Sequence, residues 1–83
     1  MEFVQIKTQG VDVSQALNII EDAAKIDRTI ADWNVERFAG AVWLDVYFED
    51  VYDQDMFEGS VAMIILRLED ETNGQRQEIV EEY

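Results

Sequence analysis

The sequence predicts an α+β domain in the order β-α-β-β-β-β, one helix packed on a mostly antiparallel sheet. Three observations predict it. An amphipathic stretch near 13–27 has helical spacing, residues 41–49 alternate with a period of two, and Asn73-Gly74 is the preferred pair for a tight hairpin turn.

Residues 2–8 are rich in β-formers, with Val4 and Ile6 on one face and Phe3, Gln5 and Lys7 on the other, which predicts a first strand. Gly10 ends that pattern. Asp12 followed by Gln15 has the spacing of a capping box, and Val13, Leu17, Ile20 and Ala24 then recur at helical intervals to about residue 27. The stretch 29–39 fits two readings. Ala31, Trp33 and Val35 alternate as in a strand, while Ile30, Trp33 and Phe38 could line a short second helix; the strand is the preferred reading. From Ala41 the alternation is clean: Val42, Leu44, Val46 and Phe48 point one way, and Trp43, Asp45, Tyr47 and Glu49 the other.

An acidic connection occupies 49–60, and residues 61–71 read as a further strand. Placing Asn73-Gly74 in a type I′ turn pairs Thr72 with Gln75, Leu68 with Ile79 and Glu71 with Arg76. The last strand, about 75–82, is charged as an edge strand should be. The 61–68 strand is apolar on both sides: Ala62, Ile64, Leu66 and Leu68 meet the helix, while Val61, Met63 and Ile65 face away. One helix covers one face, so the second must be crossed by Trp33 and Phe38, dimerise, or bind a partner.

The 83 residues form one domain, 1–83. They carry 19 acidic against 6 basic side chains, a net charge of -13, and the 48% hydrophobic content is that of a globular chain. Cysteine and histidine are absent, which removes disulfides, thiolate nucleophiles, imidazole bases and Cys/His metal cages. The few hydroxyls and two lysines suggest no Ser-Lys arrangement, and the isolated glycines form no phosphate-cradling loop. Asp53-Gln54-Asp55 opens like a calcium loop, but Phe57 stands at its fifth position and Ile64 at its twelfth. No enzyme activity, cofactor or metal is expected. The N-terminal residues lack a signal-peptide pattern, and the longest apolar run, 61–66, falls far short of a membrane span. A cytoplasmic protein is expected, one that avoids anionic lipid and nucleic acid because its own surface repels them.

The charge has a distribution. No basic residue lies between Arg37 and Arg67, while Asp45, Glu49, Asp50, Asp53, Asp55 and Glu58 fall inside that interval and Glu69, Asp70 and Glu71 follow it. If the acidic connection packs near the terminal hairpin, these residues form one negative face, with Trp43, Tyr47, Tyr52 and Phe57 as anchors for a partner or a second copy. In size, acidity and lack of catalytic groups the chain resembles phage-encoded inhibitors that imitate DNA, including some anti-CRISPR proteins. That resemblance implies a partner that is basic and binds nucleic acid. The alternatives are an immunity protein against a nuclease toxin, or a small dimeric structural or adaptor subunit, halophilic or not, whose acidity only solubilises it.

Overall fold

The computed structural model describes residues 2–83. Its elements are β1 (Glu2–Thr8), α1 (Val13–Ile26), β2 (Ile30–Phe38), β3 (Ala41–Phe48), α2 (Gln54–Glu71) and β4 (Glu78–Glu82). The strands form one sheet in the order β2-β3-β1-β4, each neighbouring pair antiparallel. Two β-α-β halves are thus interleaved, the ferredoxin-like arrangement. This arrangement hosts many unrelated activities and identifies none of them.

The α+β class and the first four elements agree with the sequence reading. The capping box of α1 is formed: Gln15 N–H donates to Asp12 Oδ1 at 2.8 Å, and Asp12 N–H donates to Gln15 Oε1 at 3.0 Å. Such caps hold a helix start by about 1 kcal/mol. The ambiguous stretch is a strand. It joins β3 through Ala39 and Gly40, whose φ values of 53° and 77° are the left-handed pair a tight hairpin needs.

The segment 61–71 is helical and belongs to α2, so the order is β-α-β-β-α-β. Asp53 starts this helix with extended backbone, its Oδ1 accepting from Met56 N–H at 2.7 Å. Phe57, Val61, Ile64 and Leu68 then fall on one buried stripe at three- and four-residue intervals. A run of six apolar residues satisfies a two-faced strand and a helix alike; the eighteen-residue length and the cap decide for the helix.

Asn73 and Gly74 make no hairpin. Their φ values of 56° and 87° close the C-terminus of α2, where Gly74 N–H donates to the Glu69 carbonyl at 2.7 Å. The left-handed pair that would build a type I′ turn here satisfies helix-end carbonyls instead. The pairings of Leu68 with Ile79 and Glu71 with Arg76 are therefore not formed. β4 crosses to the far edge and pairs with β1, setting Ile6 opposite Ile79 and Gln5 opposite Glu81.

The core lies between sheet and helices. Val4, Ile6, Val42, Leu44, Val46 and Phe48 meet Ile20 and Ala23 of α1 and the buried stripe of α2. Both helices cover the same face: α1 packs on β2 and β3, α2 on β1. Trp33 packs against this core, and Phe38 lies at the β2 edge of the opposite face beside Trp43 but is exposed, so that face stays open.

Candidate functional site: an aromatic sheet face and an acid-rimmed groove

β3 presents Trp43, Asp45 and Tyr47 in one row on the open face, because alternate residues of a strand share a side. Register adds the neighbours. Tyr47 stands opposite Phe3, with ring centroids 4.9 Å apart, and Phe3 stacks on Tyr83 at 5.5 Å. Phe3 and Tyr83 also exchange backbone hydrogen bonds, which extends the ladder past β4. The result is an aromatic stripe across three strands. Lys7 Nζ lies 5.9 Å from the Trp43 ring centre, and the Trp43 indole N–H donates to the Phe38 carbonyl at 2.9 Å. Register also puts Asp32, Glu36, Glu78 and Glu81 on this face.

Asp45 sits in the middle of this face, opposite Gln5 on one side and Asn34 on the other. Its Oδ1 is buried and meets no donor among the described residues. That oxygen costs stability, because it has lost water without gaining a hydrogen bond.

The remaining acids do not form a single face. Glu49 and Asp50 follow β3, Asp53 caps α2, and Asp55 and Glu58 lie in its opening turns. Glu69, Asp70 and Glu71 lie in its last turn, beginning about 16 Å beyond Glu58 along the axis at 1.5 Å per residue. The two clusters expected to merge are held apart by the helix that replaces the predicted strand. Their energetics differ too. Carboxylates at the N-terminus of α2 are favoured by the helix dipole, whereas three in the last turn, which holds no basic residue, are opposed by it.

Of the four aromatic anchors, Trp43 and Tyr47 lie together on the open face. Tyr52 is exposed alone in the β3–α2 connection, and Phe57 is 1% exposed inside the core, where its ring meets Phe48 edge-on at 5.3 Å. Phe57 is unavailable as a surface anchor. Sequence reasoning passed over Phe3 and Tyr83 as contact residues. The outward position of Phe3 in β1 was legible, but its meeting with Tyr83 depends on the β1–β4 pairing.

A second feature lies between α2 and β4 on the helix side of the sheet. It is a groove of about 460 Å³, with Ala62, Ile65, Leu66 and Ile79 in its floor. Glu58, Glu69 and Glu82 stand at its rim. Glu58 and Glu69 are eleven positions apart, three helical turns, so they project from one side of α2 about 16 Å apart.

Away from both features, Asp27 caps the C-terminus of α1. Burial pushes its carboxyl upward, but hydrogen bonds from the Thr29 hydroxyl, Ser60 and the Thr29 N–H outweigh this and hold it below the ordinary value. The Thr29 Oγ1 donates at 2.6 Å and the backbone N–H at 3.0 Å. A lowered native value means the folded state favours the charged form. The contribution is present above the unfolded value, about 3.9, and is lost as pH falls through the native one. The stability gap between wild type and Asp27→Ala should therefore be constant near neutrality and narrow below about pH 4, read from urea midpoints. A gap that widens on acidification would contradict the assignment.

No helix among the described residues is long and apolar enough to cross a membrane. Comparison with models of known protein families and with curated proteins finds no match.

Proposed function

We propose that this is a non-enzymatic binding protein that occupies the positively charged surface of a basic, nucleic-acid-binding protein and so inhibits it. The observation that carries the proposal is unneutralised charge. Among the described residues one ion pair forms, Lys25 with Asp22 at 3.7 Å, and both partners are largely exposed. An exposed pair of this kind contributes little. Net charge stays at -13, beyond the magnitude of about 2 to 8 that keeps a small domain soluble. Such a surface weakens the compact state by self-repulsion and repels nucleic acid, but it draws a basic partner into fast encounter. A phage anti-defence inhibitor of the DNA-mimic type, including the anti-CRISPR kind, fits this chemistry first. An immunity protein against a nuclease toxin fits it second.

The experiment is capture of partners from host lysate at low and high salt, followed by competition with duplex DNA. A basic protein retained at low salt, released at high salt and displaced by DNA is the expected outcome. Replacing Asp55, Glu58 and Asp70 together by Lys should weaken capture about tenfold or more, since these acids hold no cap in the fold. Unchanged capture by that variant would remove the proposal. The aromatic stripe Tyr47–Phe3–Tyr83 favours a second reading, a homodimer through the open sheet face. Two copies of the same charge associate more tightly as salt rises, the opposite of a basic partner. Sedimentation equilibrium at both salt concentrations separates the two readings, and a monomer at high micromolar concentration excludes the dimer.

A further inference from the structure

We infer, resting on the reading just proposed, that the basic partner docks as an amphipathic helix laid in the groove between α2 and β4. The helix layer stops short of one edge of the sheet. α1 rests on β2 and β3 and α2 on β1, while all five residues of β4 are exposed. Leu66 is 60% exposed and Ile79 42%, although both look into the groove from the side of the sheet that carries the core. The middle of α2 is apolar around its whole circumference, a pattern that belongs to a helix packed on more than one side. A helix placed in the groove supplies the missing side.

Charge identifies the occupant. Glu58 and Glu69 mark the two ends of the apolar floor, and Glu82 faces them from β4. An entering helix meets both with basic residues about three turns apart on its flank, and leucine-like residues between them cover Leu66 and Ile79. A second copy of this chain is a poor occupant. It carries the same excess of acid, and its own helix α1 would bring Glu21 and Asp22 towards the rim. An extended segment added to the edge of β4 would use backbone hydrogen bonds but leave Leu66 and the three-turn spacing of Glu58 and Glu69 unmatched.

The test uses two synthetic peptides of about 15 residues with one composition of leucine, lysine and alanine. In the first, leucines line one face and lysines sit near each end. In the second, the order is scrambled so that no apolar face exists. Binding to the full chain is followed by fluorescence anisotropy and the bound conformation by circular dichroism. The patterned peptide should bind about tenfold more tightly than the scrambled one and gain helix on binding. Leu66→Ser or Ile79→Ser should abolish most of that advantage while leaving the scrambled peptide unaffected. Both positions are exposed, so these variants keep the fold. Equal affinity for the two peptides, indifference to both substitutions, or a gain of strand instead of helix overturns the groove and leaves the acidic binding surface standing. Failure of both peptides to bind at low salt overturns the groove and the acidic binding surface together.

Discussion

Phe57→Ala should lower the unfolding free energy by about 3–5 kcal/mol, the cost of truncating a buried aromatic ring and leaving part of its space empty. The position has little room to relax. Phe57 belongs to the first buried turn of α2, and its ring meets Phe48 of β3 nearly perpendicular, at 84°. That edge-to-face contact is one of the places where the second helix is fixed to the central strands, and its loss removes a contribution beyond buried area. Chains of this length hold only about 4–12 kcal/mol in total. The variant should therefore show a large fall in urea midpoint and considerable unfolding at 37 °C. Tyr52→Ala is the control, because that ring is 86% exposed and its removal should change stability by no more than about 0.5 kcal/mol. If Phe57→Ala kept wild-type stability and lost only partner binding, Phe57 would be a surface anchor and the packing of α2 would be wrong.

Asp45→Thr should act in the opposite direction, raising stability by about 1–2 kcal/mol. Three effects add. The buried Oδ1, which meets no donor, disappears; a residue suited to strands replaces one that is not; and net charge becomes less negative by one. Gln5 and Asn34 flank the position and can hydrogen-bond the new hydroxyl, so the substitution need not create a new orphan. A stabilising substitution at a residue kept in a costly state is the pattern expected where binding and stability conflict. Thermal unfolding measures the gain. A variant less stable than wild type would show that Asp45 is held by interactions other than those described.

The half of the chain up to Phe48 was legible, apart from the ambiguous stretch 29–39, because its elements carry agreeing signals. Asp12 and Gln15 mark the start of α1 while Ile20 and Ala23 give its period, and Val42 to Phe48 alternate without a break. The second half misled because its signals are degenerate. Val61–Leu66 is compatible with both periods, and Asn73-Gly74 supplies left-handed backbone equally well to a hairpin or to a helix end. The site inherits that division. Trp43, Asp45 and Tyr47 sit on one strand, so alternation alone puts them side by side. Glu58 and Glu69 become partners only once the segment between them is helical, and the error that made a strand of 61–71 also left Phe57 in an exposed connection. The joining of Phe3 with Tyr83 lies beyond any local pattern, since it depends on how the strands are ordered across the sheet.

That joining has a consequence for how the molecule breathes. β4 closes the longest loop in the fold and buries little in return, since none of its five residues is enclosed. Loop entropy grows only slowly with length, so the pairing persists, but it is held mainly by hydrogen bonds to β1 and the Gln77 side chain, whose amide donates to the Gln9 carbonyl and accepts from its N–H. This edge is the unit that opens at the lowest free energy, and its amides exchange with solvent while the β1–β3 ladder stays protected. When it lifts, one wall of the groove goes with it. Whatever fills the groove binds the closed form alone, and by mass action holds the last strand shut.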